Sequence, residues 1–126
     1  MFEGDAFSKW LGIEIVAVKE GFCELNLSVR EEMTNGFKIA HGGITYSLAD
    51  SALAFASNSH GRKSVSVETS ISHTKQCLVG DLITAKAIEK SISNKIAIYE
   101  ITITNQKDET VALFKGTVYR TSKDWI

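Results

Sequence analysis

His41-Gly42-Gly43-Ile44-Thr45-Tyr46-Ser47-Leu48-Ala49-Asp50-Ser51-Ala52-Leu53-Ala54-Phe55-Ala56-Ser57-Asn58-Ser59 contains the only long helical pattern in this chain of 126 residues. Ile44, Leu48, Ala52 and Phe55 recur at helical spacing and make one apolar stripe. Apolar and small residues also fill the opposite side, with Leu53 and Ala54 close to Asp50, so residues 42–59 read as a helix enclosed on nearly all faces. Gly61 supplies the C′ glycine that ends it.

On either side of this helix the pattern is that of strands. Residues 3–10 read as a short amphipathic helix offering Phe7, Trp10 and Leu11 to an apolar surface. Residues 13–18 and 22–29 then form a hairpin across Lys19-Glu20-Gly21, with Cys23, Leu25, Leu27 and Val29 on one face and Glu24, Asn26 and Ser28 on the other. The alternation returns after the helix in residues 64–74, 81–92, 95–105 and 110–121. The turns between the later strands are short, which favours antiparallel neighbours over crossover connections. One enclosed helix and about six strands, mainly antiparallel, predict an α+β fold in which a curved sheet wraps the helix. Residues 1–126 read as one domain, with no proline, no linker composition and no internal repeat.

The bulk properties narrow the function. The net charge is −1 with acidic and basic residues interspersed, so the basic stripe of a nucleic-acid binder is missing. Cys23 and Cys77 lie far apart, form no CxxC pattern and read as reduced core thiols. No segment approaches the ~18 apolar residues of a membrane span, and the first residues lack a signal-peptide pattern, so the expectation is a soluble cytoplasmic protein. The three histidines match no metal-ligand spacing, and neither a GxSxG elbow nor a phosphate-binding glycine loop occurs; no metal or cofactor is implied.

The chemistry concentrates at the helix. His41-Gly42-Gly43 puts a polar side chain and two unhindered N–H groups at its start, where first-turn donors lack partners and the dipole favours negative charge. Such an end serves either as a plain cap or as an oxyanion hole, whose loss costs roughly 3 to 4 kcal/mol in acyl transfer. Asp50 lies more than two turns further along, too deep for capping, and a carboxylate on so apolar a helix needs a hydrogen bond, a cation or a catalytic task. Its task would be to activate water or to attack an acyl carbon, and the sequence does not separate the two. Asn35-Gly36 reads either as a turn or as a group orienting His41 and substrate. Ser66 shares a polar strand face with Ser64, Glu68, Ser70 and Ser72, opposite Val65, Val67, Thr69 and Ile71. His60 and His73 lack a partner pattern and read as structural or exposed.

Asn35-Gly36, His41-Gly42-Gly43, Ser47-Leu48-Ala49-Asp50-Ser51-Ala52, Gly80-Asp81 and the run from Asn105 to Gly116 resemble the hotdog-fold thioesterases of the PaaI type, associated with phenylacetate degradation. The resemblance covers nearly the whole chain and implies acyl-CoA hydrolysis. Under it, Asp50 matches the general base or nucleophile, Gly42 and Gly43 the oxyanion-binding helix start, and His41 and Asn35 the polar residues securing loop and substrate. Ser66 resembles a serine that holds the attacking water in related enzymes. Thr74-Lys75-Gln76-Cys77 departs from the group, which often carries Arg-Pro there. Phe37, Tyr46 and Phe55 are candidates to line an acyl pocket, Phe55 also belonging to the core stripe, and Arg62, Lys63 and Lys75 are candidate CoA phosphate contacts. Two other readings remain, a non-catalytic acyl-CoA-binding module and a hotdog dehydratase or hydratase.

The spacing also bears on assembly. Gly43 and Asp50 are seven residues apart, or roughly 10 Å along a helix at ~1.5 Å per residue. A carbonyl held at the helix start is therefore out of reach of the same chain's Asp50, since attack needs about 3 to 3.5 Å. Two such helices packed antiparallel about a two-fold axis would bring each helix start beside the partner's carboxylate. The resemblance implies the same dimer, with dimers usually paired into tetramers.

Overall fold

The computed structural model describes residues 1–126. A 3-10 turn at Phe2–Gly4 leads to helix α1 (Ala6–Leu11), strands β1 (Glu14–Lys19) and β2 (Phe22–Ser28), and a 3-10 turn at Glu31–Met33. Helix α2 (Gly42–Ser57) follows, tightened into a 3-10 turn at Asn58–His60, and then come β3 (Arg62–His73), β4 (Leu82–Ile92), β5 (Ile96–Thr104) and β6 (Thr110–Asp124). The strands form one sheet in the order β1-β2-β4-β5-β6-β3, and every pair is antiparallel. This is the curved sheet around one long helix that the sequence predicts. The helix closes at Gly61, whose φ of 90° is a conformation that costs glycine little.

Burial explains the wrapping. Cys23, Leu25 and Leu27 of β2, Ile83, Ala85 and Ala87 of β4, and Ala97, Tyr99, Ile101 and Ile103 of β5 all point inward at alternate positions. Against them α2 buries Leu48, Ala49, Ala52, Leu53, Phe55 and Ala56. Small side chains on both surfaces let helix and sheet approach closely. At Gly116 of β6 the approach is closest, since a Cβ there would lie 2.5 Å from Leu53 Cδ2. The enclosure is incomplete along Ser47, Asp50 and Ala54, which stay half-buried.

Strand β3 departs from the predicted alternation. A bulge between Ser66 and Glu68 leaves Val67 unpaired, so Ser66 pairs with the buried Val118 while Thr69 pairs with Gly116. The extra residue shifts the inward face: Ser64 and Ser66 look toward the helix, not out on the polar face, and Val65 and Val67 are 55% and 59% exposed. β3 is also an edge of the sheet, with no strand beyond it in the chain.

The far end of α2 is fastened by side-chain hydrogen bonds. His60 places Nδ1 3.1 Å from Glu20 Oε1 and Nε2 2.6 Å from Glu89 Oε1, and the buried Tyr99 hydroxyl donates to the same Glu89 oxygen at 2.7 Å. Burial alone would raise the Glu89 pKa, but the bonds from Tyr99 and His60 outweigh it and hold the carboxyl below its usual value.

The helix–sheet contact yields a stability prediction. Gly116→Ala should lower the unfolding free energy by about 1 to 3 kcal/mol through overpacking against Leu53. Urea titration should show the loss, and Leu53→Val in the same chain should recover part of it by removing the clashing methyl.

Candidate active site

The segment before α2 is a tight finger. Thr34 bridges Ala40, Asn35 N–H donates to Ile39 O at 2.9 Å, and Asn35 Oδ1 accepts from Phe37 N–H at 2.9 Å. Asn35 thus builds the turn with its side-chain oxygen. Its residue also lines the cleft at the helix start. Phe37 sits on the finger, 85% exposed and outside the clefts at the helix start and at Asp50, so within one protomer it does not line the pocket the sequence assigned to it. The finger's base is held by Ala40 N–H to Cys77 O and His41 N–H to Met33 O, each 2.8 Å.

At the helix start, His41 is the N-cap. Its Nδ1 accepts the Gly43 N–H at 2.8 Å, which leaves the ring proton on Nε2. This refines the expectation that both glycines offer free donors: the Gly43 N–H is taken by the cap, while the Gly42 N–H has no partner. Each glycine makes room for one imidazole. A Cβ on Gly43 would lie 3.0 Å from His41 Nδ1, and one on Gly42 would lie 3.2 Å from His73 Cε1. A cleft of roughly 390 Å³ opens here, lined by Asn35, Gly42, Thr45, His73, Lys75 and Gln76 among others.

Asp50 opens into a different cleft. About 250 Å³ in volume, it is bounded by Leu53, Ala54, Ser57, Ser64, Val65, Ser66 and Val118 and shares no lining residue with the first. Burial, helped by the nearby charge of Asp5, raises the Asp50 pKa, and no hydrogen bond from its own chain offsets the rise. Asp5 caps α1, accepting from Ser8 N–H at 3.0 Å and from the Ser8 hydroxyl at 2.7 Å, and Ser8 Oγ lies 2.7 Å from Ser51 Oγ. That buried contact ties α1 to the residue after Asp50. The bulge in β3 brings Ser66 into the Asp50 cleft, where strict alternation would have turned it outward.

The remaining candidates divide. Tyr46 is packed edge-on to Phe114 with centroids 5.4 Å apart and shares a 2.6 Å hydrogen bond with Thr69, a role in the wall of the core in place of the expected acyl pocket. Phe55 is buried against Phe2. Arg62 is no free phosphate ligand: its guanidinium donates to Thr121 O at 3.1 Å, to Arg120 O, and to Asn94. Lys63 lies over the Trp125 ring at 5.1 Å, and Lys75 borders the first cleft while paired with Glu109 at 3.1 Å. Burial pushes the thiols of Cys23 and Cys77 up to about 12 and about 11, which makes them poor nucleophiles at neutral pH. No three His, Cys, Asp or Glu side chains stand together as a metal site. Sequence reading missed Thr45 and His73, which meet at 2.7 Å beside Gly42, and Asp5. The Asp5-Ala6-Phe7-Ser8 start is a legible capping pattern, whereas nothing local marks His73 as a neighbour of the helix.

Comparison with known proteins identifies the family. Residues 37–112 match the model of the Thioesterase superfamily. Acyl-coenzyme A thioesterase PaaI of Escherichia coli K12 is 40% identical over 95% of this chain and 86% of its own length. The structure of the E. coli PaaI protein from the phenylacetic acid degradation operon superposes with a TM-score of 0.97 at 39% identity, covering 98% of this chain and 90% of that one. A Streptococcus mutans UA159 protein solved with acetyl-CoA bound has a TM-score of 0.86 at 25% identity, over 89% of this chain and 90% of that one. With its six antiparallel strands around one helix, this chain belongs to the thioesterase superfamily as a hotdog-fold enzyme of the PaaI type.

Proposed function

We propose that the protein hydrolyses an acyl-CoA thioester to a free acid and CoA, in active sites shared between two subunits. The observation that carries this reading is Asp50, a half-buried carboxylate in mid-helix with no hydrogen-bond partner of its own chain. A structural aspartate would be paired. In the reaction the thioester carbonyl oxygen takes the Gly42 N–H, and the negative charge that develops on it is stabilised by that donor and by the helix dipole. The partner's Asp50 takes a proton from water as the water oxygen bonds to the carbonyl carbon, or attacks that carbon directly. Collapse of the tetrahedral oxyanion then breaks the C–S bond, the CoA thiolate leaves and is protonated, and on the direct route a water hydrolyses the mixed anhydride so formed, releasing the acid and regenerating Asp50. His41 holds the helix start, Asn35 shapes the finger, and Ser66 lies where it can hold the water beside Asp50.

Sharing follows from the two clefts. The free donor and the carboxylate belong to separate openings of one protomer, so an antiparallel pair of α2 helices is the arrangement that joins them. β3 offers the seam, being an open edge with Val65 and Val67 exposed. Ile88, Ile96, Leu113 and Tyr119, exposed on the outer face of the sheet, fit a further pairing of dimers into a tetramer. The acyl group enters the Asp50 cleft, where Leu53, Ala54 and Val118 suit an aryl or medium-length chain such as phenylacetyl. The Streptococcus mutans relative, solved with acetyl-CoA, supports a CoA ligand, and Lys75 at the edge of the first cleft is the basic residue best placed for its phosphates. Two buried free thiols fit a reducing, cytoplasmic setting.

Thiol release from a panel of acyl-CoA substrates tests the activity, and Asp50→Asn should lower kcat by about 10² to 10⁴ with the fold intact; an equally active variant would sink the assignment. The ionised form of Asp50 works, so kcat should fall on the acid side of a limb lying above the ordinary aspartate range. Asp5→Asn keeps the α1 cap but removes a neighbouring charge, and should move that limb to lower pH. The same raised pKa carries a stability sign. The native state binds a proton more tightly at Asp50 than the unfolded chain does, so this contribution is present below the ordinary aspartate range and lost as pH rises through the raised value. Asp50→Asn should therefore melt higher than the parent at neutral pH, with the gap closing in acid. Finally, a mixed dimer of an Asp50→Ala chain with a Gly42→Val chain should regain one working site although each homodimer is inactive. Mixed dimers as dead as their parents would exclude a shared site.

A further inference from the structure

Between the two imidazoles at the helix start, only that of His41 has an assigned task. His73, the last residue of β3, lies against Gly42, with Cε1, Nε2 and Nδ1 at 3.2, 3.6 and 3.9 Å from where a Gly42 Cβ would stand. Its Nε2 is 2.7 Å from Thr45 Oγ1, and Thr45 Oγ1 donates to Gly42 O at 3.0 Å. A hydroxyl has one proton. Since that of Thr45 goes to the carbonyl, the 2.7 Å contact is made by a proton on His73 Nε2. The chain of donors runs from imidazole to hydroxyl to carbonyl, and it fixes the His73 tautomer. Nδ1 is left as an acceptor with no partner in the protein, on a residue that is exposed and lines the cleft at Gly42.

The thioester substrate has a donor at the matching place. In any CoA thioester the carbonyl carbon is followed by sulfur, two methylenes and an amide nitrogen, which puts a secondary-amide N–H four bonds from the reacting carbon. With the carbonyl oxygen on the Gly42 N–H, the sulfur side of the substrate runs into the cleft that His73 borders. We propose that His73, held by Thr45, accepts through Nδ1 the hydrogen bond of the first pantetheine amide and so selects thioesters that carry this amide. This rests on the thioesterase reading, and it adds a recognition element for the thiol half of the substrate. It also gives Gly42 a second reason to be glycine: a side chain there would push the imidazole off its seat.

The test compares two thioesters of one acid, an N-acetylcysteamine thioester that has the amide and an S-butyl thioester that lacks it. The parent enzyme should favour the first in kcat/KM. His73→Phe keeps an aromatic ring in place but has no acceptor, and should lose about tenfold on the N-acetylcysteamine thioester, the worth of one hydrogen bond, and less than twofold on the S-butyl thioester. A loss shared equally by both substrates, or no loss on either, overturns the proposal, because a purely structural role for His73 makes no distinction between them. A second measurement needs no substitution. Imidazole 15N spectra of the parent protein, with and without a non-hydrolysable N-acetylcysteamine thioether, should show His73 protonated at Nε2 and its Nδ1 resonance moving on binding. A proton on Nδ1, or an Nδ1 that ignores the bound ligand, overturns it as well. Failure of the parent to cleave either thioester would instead tell against the thioesterase reading, and the spectra would still decide the contact.

Discussion

Helix α2 lies so close to β6 that Gly116 has no room for a methyl group, and most of what the molecule does depends on that closeness. A single helix inside a single sheet can be buried on all sides only if small residues line both surfaces; hence Ala49, Ala52 and Ala56 on the helix and Ala85, Ala87 and Ala97 on the strands. The result is a core with few places for a polar group. One is the end of the helix, where backbone donors cannot be satisfied internally. The other is the strip of Ser47, Asp50 and Ala54 that the sheet leaves half covered. The proposed chemistry uses both, and the distance between them is set by the rise of the helix.

Packing also explains the local composition at the helix start. His41 and His73 approach the first turn from two directions, one capping it and one lying on it, and a side chain on Gly43 or Gly42 would crowd the ring that belongs there. The two glycines are thus less a device for flexibility than clearance for two rings. With the Gly43 donor engaged by His41, the Gly42 N–H is a single, well-directed donor set between an imidazole that holds the turn and another that faces the cleft. Preorganisation of this kind matters because a donor that must first leave a competing partner loses much of its advantage in the transition state.

The fold was largely legible in the sequence because its signals are local: the stripe Leu48, Ala52, Phe55, the alternation through β4 and β5, and the turn at Gly61 all repeat with the period of their element. The catalytic candidates on α2 were legible for the same reason, since Asp50 is conspicuous against an apolar helix. What stayed hidden is non-local. A bulge at Val67 reverses the faces of the first part of β3, and no rule of alternation announces it, so alternation puts Ser66 on the outer polar face whereas the fold brings it to the Asp50 cleft. Arg62 shows the opposite error: a cation at the end of an element looked free to meet phosphate, yet carbonyls from β6 and the Ser93-Asn94 turn had already claimed it.

The role proposed for Asp50 gives a physical reason for a site divided between subunits. A carboxylate that must act on a carbonyl needs to be ionised, near the reacting carbon and free of competing hydrogen bonds, and each of these conditions opposes burial in a stable core. Within the protomer Asp50 meets the last condition, since no group of its own chain bonds to it, while the charge of Asp5 and the surrounding apolar wall make its ionised form harder to hold. A donor from the same helix cannot relieve it, because the free Gly42 N–H is more than two turns away. A second copy of the helix, turned end for end, presents its N-terminus with the sign of dipole that favours an anion. In the proposed dimer the interface would do two things together: set the helix start of one chain opposite the carboxylate of the other, and lower the cost of keeping that carboxylate charged. Under the proposed mechanism an isolated chain would not be a weaker catalyst but one lacking half of its site, and assembly would be the step that completes the chemistry.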